Sequence, residues 1–170
     1  MPVPLIDRIQ RFVEADAETL ESYDHHLGLK KFGLGTSQLR RIAQADNLSA
    51  IHRLTLSENG LTEEGLRALG SSAFASNLRM LELSGCRFGE RALMALTEEP
   101  AFRTLESLDL SNTRLEPEDL ELLSDWEGLR SLRVLRLEGC HLDDERTSVI
   151  FSSPHLDRLQ GVSLARNLVG

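Results

Sequence analysis

Leu105-Glu106-Ser107-Leu108-Asp109-Leu110-Ser111-Asn112-Thr113-Arg114-Leu115 sets leucine at its first, fourth, sixth and eleventh places, and the pattern returns along the chain every 27 residues. One step earlier stands Leu78-x-x-Leu81-x-Leu83-x-x-Cys86-x-Phe88, and one step before that Ile51-x-x-Leu54-x-Leu56-x-x-Asn59-x-Leu61. Later copies read Leu132-x-x-Leu135-x-Leu137-x-x-Cys140-x-Leu142 and Leu159-x-x-Val162-x-Leu164-x-x-Asn167-x-Val169. Counting back from Ile51 reaches Asp24, where Leu27, Leu29 and Leu34 fall in phase and Phe32 takes the ninth place. Units therefore start at residues 24, 51, 78, 105, 132 and 159. Self-similarity at such a period predicts a solenoid of stacked units, and a degenerate first unit suits the end of a stack.

Each unit divides into two halves. The Leu-x-Leu core alternates, which predicts a short strand that buries its leucines and displays the residues between them. In the second half Leu39 and Ile42, Leu66 and Leu69, Leu93 and Leu96, and Leu120 and Leu123 lie three apart, on one face of a helix. The unit starting at 132 has Thr147 in place of the first leucine and keeps Ile150, so its helix is expected to be weaker or shorter. Thr62-Glu63-Glu64, Glu116-Pro117-Glu118 and Asp143-Asp144-Glu145 mark helix starts, where the dipole favours acids and proline loses no hydrogen bond. The class is α/β: about six parallel strands on the concave side of a curved solenoid, with helices on the convex side.

This repeat resembles the leucine-rich-repeat family. Units of 27 residues with a true helix, and Asn59, Cys86 and Cys140 at the ninth place, resemble its ribonuclease-inhibitor-like subclass. Ser152-Ser153-Pro154-His155-Leu156 is similar to repeats of large bacterial proteins of this type. The resemblance spans residues 24–170. It implies non-enzymatic binding of a protein partner on the concave sheet, and it carries over no functional residue. Residues 1–23 precede the repeats. There Leu5, Ile6, Ile9, Phe12 and Val13 make one apolar face at helical spacing. That face reads as a helical N-terminal cap over the first unit, with an arm for a membrane or partner as the alternative.

Composition narrows the partners. A net charge of −8 argues against a nucleic-acid backbone and leaves a protein, basic proteins included, as the partner class. Much of that acidity already has a reason at the helix starts. The N-terminus has no basic start followed by an apolar run, and no stretch approaches a membrane span. Two cysteines are too few for a disulfide framework, so a cytoplasmic setting is expected. Cys86 and Cys140 stand two units apart, roughly 10 Å at a strand spacing of ~4.8 Å, beyond disulfide reach. With Thr113 between them they read as a ladder of small hydrogen-bonding groups.

A catalytic or metal centre is not expected, and no cofactor. His25 and His26 lack further ligands at a characteristic spacing, and Gly33-Leu34-Gly35-Thr36-Ser37 lacks the lysine of a phosphate loop. The displayed rows are the stronger candidate. One runs Gly28, Thr55, Glu82, Asp109, Arg136, Ser163, and its neighbour runs His26, Arg53, Met80, Ser107, Val134, Gly161. The partner-binding candidates are Arg53, Met80, Glu82, Glu106, Asp109, Arg133 and Arg136. Glu82 and Asp109 would sit as like charges on adjacent strands, which costs stability unless compensated. Trp126 matches Ala45, Ser72, Glu99 and Ser153 in other units. It packs over Leu123 or Leu129, or else offers a convex contact. The expected function is protein recognition on the concave face. The alternatives are assembly through the sheet edge at Val162 to Ala165, and inhibition of a basic toxin or nuclease.

Overall fold

The computed structural model of the chain describes residues 25–89 and 91–170. The cap expected over residues 1–23 lies outside the described residues. Strands β1 (His26–Gly28) and β2 (Arg53–Thr55) are followed by a two-residue β3 (Gly60–Leu61). Then come β4 (Met80–Glu82), a two-residue β5 (Arg87–Phe88), β6 (Ser107–Asp109), β7 (Val134–Arg136) and β8 (Gly161–Ser163). β1, β2, β4, β6, β7 and β8 form one parallel sheet in chain order, and β3 pairs with β5 in a second. Every pairing is offset by one repeat, so His26 faces Arg53, Arg53 faces Met80, and so on to Gly161. β1 thus pairs with β2 in the same parallel register as the later strands.

One backbone device recurs where each strand begins, beside the amide-to-carbonyl bonds that continue the ladder, such as Leu29 N to Thr55 O at 2.8 Å. The carbonyl of His25 accepts from the amides of both His52 and Arg53, and those of His52, Arg79, Glu106 and Arg133 do the same for the next unit, at 2.8–3.2 Å. The strand leucines Leu27, Leu54, Leu81, Leu108 and Leu135 point inward and are 0–1% exposed. Burying each stabilises by roughly 1.5–3 kcal/mol relative to exposure. Opposite them lie α1 (Thr36–Ala43), α2 (Glu63–Gly70), α3 (Ala92–Glu98), α4 (Pro117–Ser124) and α5 (Asp144–Phe151). Their inward residues complete the core, each helix packing on its predecessor.

The helix starts follow the sequence. Thr62 Oγ1 accepts from Gly65 N at 3.1 Å, and Asp143 Oδ1 accepts from Arg146 N at 2.9 Å. Proline opens α4. α5 corrects one expectation: it spans eight residues, as long as α1, α2 and α4. Thr147 is buried there without penalty, because its hydroxyl donates to Asp143 O at 2.7 Å.

The eighth and ninth places of each unit turn the chain from strand towards helix. The eighth residue is left-handed in all six units: Lys31, Glu58, Gly85, Asn112, Gly139 and Arg166 have φ of +56° to +65°. At the ninth place, chemistry sets how adjacent units join. Asn59 Oδ1 accepts from Phe32 N and Leu34 N, each at 3.0 Å, while its Nδ2 donates to Leu29 O and Leu56 O. Asn167 makes the same cross-link to Cys140 N, Leu142 N and Leu137 O. Thr113 and Cys140 are too short to reach both ways. They donate to Leu110 O at 2.5 and 3.2 Å, and Cys86 donates to Leu56 O at 3.1 Å. The seam beside Cys86 is closed instead by β3 and β5. The two seams served by Thr113 and Cys140 stay open on the helix side, as clefts of about 540 and 320 Å³.

Trp126 is 3% exposed and lies in the core with Leu123 and Leu129, so it is not a convex contact surface. Room for its ring comes from Gly128, where an added Cβ would lie 2.2 Å from the indole carbons. The second unit shows the converse arrangement, with small Ser72 and a buried Phe74 in the matching places. One large ring is accommodated at either place, not at both.

Asn59→Ala should cost about 3 kcal/mol, since it leaves several buried backbone groups unpaired. Thr113→Ala should cost about 1 kcal/mol, and urea unfolding of the two variants would reveal the difference. Gly128→Ala should lower the melting temperature by overpacking and shift the blue emission of the single tryptophan to the red. Emission identical to the parent's would contradict the close Trp126–Gly128 packing.

Candidate functional site

Short strands with side chains displayed at alternate places give the concave face its rows, and the observed register reproduces both. Nearly all predicted residues lie half-buried on this face, with Arg133 exposed at its border. They form two clusters rather than one acidic patch.

In the first cluster, Arg53 Nε and Nη2 both donate to Glu82 Oε1, at 2.9 and 2.5 Å. Thr55 Oγ1 donates to Glu82 Oε2 at 2.8 Å, a carboxylate being able only to accept. The hydroxyl has a single proton, so at its 2.8 Å contact with His26 Nε2 it accepts and the imidazole donates. A continuous chain His26–Thr55–Glu82–Arg53 thus crosses β1, β2 and β4. In the second cluster Glu106 lies between Arg133 at 3.4 Å and Arg79 at 3.9 Å.

Those pairs resolve the expected clash of Glu82 with Asp109. Glu82 leans back to Arg53, while Asp109 turns along its own strand and accepts from Ser111 N at 2.8 Å. Arg136 reaches Ser107 Oγ at 3.3 Å, and among the described residues neither Asp109 nor Arg136 forms an ion pair. They are register partners at the centre of the face. Met80 lies beside them in register with Arg53 and Ser107. Lys30, Arg53, Arg79, Arg133 and Arg136 here oppose Glu82, Glu106, Asp109 and Glu138, so the face is close to neutral. The chain's excess acid lies elsewhere, as at Glu63 and Glu64 of α2, Glu118 and Asp119 of α4, and Asp144 and Glu145 of α5. On that side Arg67 ties together Glu63, Glu98 and Glu99 at 3.1, 2.6 and 3.3 Å, and these partners raise its pKa further.

The sulfur groups serve structure. Cys86 and Cys140 are free and buried, and burial pushes both thiols up, away from the reactive thiolate form. Among the described residues no group of three or more His, Cys, Asp or Glu side chains is placed to hold a metal ion. Nor is any described helix long and apolar enough to cross a membrane. Arg79 was expected to flank these acids, and it contacts Glu106. The hydrogen-bond chain through Thr55 went unforeseen.

Stacked strand-turn-helix units, their leucines inward and a polar ninth residue serving the turn, give this chain the fold of a leucine-rich-repeat solenoid. A family profile described as Leucine Rich repeat matches residues 103–124. Among solved structures, an internalin from Listeria monocytogenes is similar, with a TM-score of 0.50 at 19% sequence identity. The match covers 80% of this chain and 39% of the internalin chain, and it is a likeness of fold. Sequence comparison with curated proteins gives no match.

Arg53→Ala should cost about 0.5–1 kcal/mol, the range for a half-exposed pair. Double-mutant cycles with Glu82→Gln would read the coupling, and a coupling of zero would remove the cluster as a stabilising unit.

Proposed function

We propose that this domain is a non-enzymatic recognition module that holds a protein partner against its concave face. The carrying observation is the central pair Asp109 and Arg136, adjacent in register and without an ion pair. The fold asks nothing of these positions: Gly28, Thr55 and Ser163 occupy the same row. Around the pair, the Arg53–Glu82 and Glu106–Arg133 contacts hold side chains in place before a partner arrives, which reduces the ordering cost of binding. A partner of mixed charge suits the face. The inhibitor reading, with a basic toxin or nuclease as target, has less support there, since arginines engage both Glu82 and Glu106.

The 27-residue unit with an α-helix in each of five units supports the ribonuclease-inhibitor-like subclass. Two buried free thiols suit a reducing cytoplasm. Assembly is the second reading. The outer edge of β8 is unpaired in this chain, with Val162, Leu168 and Val169 exposed near it. A further unit of a longer chain would cover the same surface.

Affinity capture followed by mass spectrometry tests the concave reading. Asp109→Lys with Arg136→Glu should reduce recovery of the partner at least about tenfold, a loss of about 1.4 kcal/mol. The convex control Glu121→Lys should leave recovery unchanged. Equal recovery by all three proteins would move recognition off the concave face.

A further inference from the structure

The corner that leads into each strand shows a substitution pattern that the fold does not require. Ser49 and Ser76 fill its first place in the early units, whereas Arg103 and Arg130 fill it in later ones, with Arg158 one residue further along. Serine suffices at this exposed corner, so packing does not account for the arginines.

Their ion pairing separates them. Arg103 is held by Glu127 at 2.7 Å and Arg133 by Glu106 at 3.4 Å. Among the described residues, Arg130 and Arg158 have no ion pair, and both are exposed. Arg103, Arg130, Ser131, Asp157 and Arg158 line an open cleft of about 420 Å³. A second cleft of about 350 Å³ is lined by Arg133, Asp157, Arg158, Leu159 and Gln160. The two clefts, together the trough, adjoin at Asp157 and Arg158, which line both. Among the described residues Asp157 is the only carboxylate lining it; of its four guanidinium groups Arg103 and Arg133 are already paired with Glu127 and Glu106, which leaves Arg130 and Arg158 as its unpaired charges.

We propose that this trough binds a short run of carboxylates, an acidic segment of the protein partner held on the concave face. The guanidinium fork matches a carboxylate through two parallel N–H bonds and gives up its hydration readily. Anionic groups placed between Arg130 and Arg158 also relieve the repulsion of two unpaired cations. Arg133 belongs to both surfaces, so a chain leaving the concave face can continue into the trough. A short segment fits better than a long polyanion. At physiological salt the field reaches only about 8 Å, and the chain's net charge of −8 would repel the remainder of a nucleic acid.

The inference rests on the concave reading for its partner, and a defined probe separates the two. Fluorescein-labelled hexaglutamate, titrated into the full chain at low salt and followed by polarisation, should bind saturably. Arg130→Ala with Arg158→Ala should weaken it at least about tenfold. Arg87→Ala with Arg114→Ala removes the same charge from the opposite flank and should change binding less than about twofold. Circular dichroism of both double variants should match the parent, the four side chains being exposed. Absent saturation, or equal weakening by the two double variants, would overturn the trough. So would tighter, equally Arg130- and Arg158-dependent binding of a single-stranded oligonucleotide of the same charge. Asp109→Lys with Arg136→Glu should leave hexaglutamate binding intact even where it abolishes partner capture, so either reading can fail alone.

Discussion

One carbonyl in each unit accepts two amides from the next, and the rest of the molecule depends on that contact. It fixes the step between units at one strand width, roughly 4.8 Å. With the step fixed, each leucine of one unit meets its counterparts, and a 27-residue chain segment too small for a core of its own joins a continuous one. The rows of the concave face are the outward expression of the same register. Glu82 can reach Arg53 and Thr55 because the offset never slips; a one-residue shift would send every displayed side chain inward.

Much of this architecture was legible in the sequence because leucine spacing reports directly on burial. The burial of Leu27, Leu29 and Leu34 follows from that spacing, although Phe32 stands where asparagine was expected. The turn at Phe32 is served from outside, by Asn59 of the next unit, and so tolerates the replacement. The helix at Thr147 was misread because a leucine count omits the hydrogen bond a buried threonine makes to its own backbone. Trp126 was open to two readings; Gly128, two residues on, carried the signal for burial. The pairing of charges was not legible. Row positions name neighbours, but which way Glu82 and Asp109 lean depends on side-chain angles and on donors in adjacent rows. The arginines of the strand-entry corner could be read from the period, yet they lie outside the displayed rows and so escaped notice.

Charge is divided between surfaces. Acids gather on the helices, where dipoles and Arg67 accommodate them, while the concave face is nearly balanced and the strand-entry rim is rich in guanidinium. A net charge of −8 therefore describes solubility more than recognition. A partner approaching the sheet meets local fields set by individual pairs.

The amide cross-links of Asn59 and Asn167 leave the turns of the stack unequally tied. Near the two ends, adjacent turns are tied by a side chain that bonds in both directions. In the middle, Thr113 and Cys140 serve only one side, and the same seams are tied on the strand-entry side, where Arg103 pairs with Glu127, Ser131 Oγ donates to Arg103 O and Leu105 O, and Ser153 Oγ donates to Ser124 O. The seams behind Asp109 and Arg136 are thus tied on the strand-entry side, whereas Asn59 and Asn167 tie theirs through the turn. A partner seated over that pair rests on units whose fastening has changed sides.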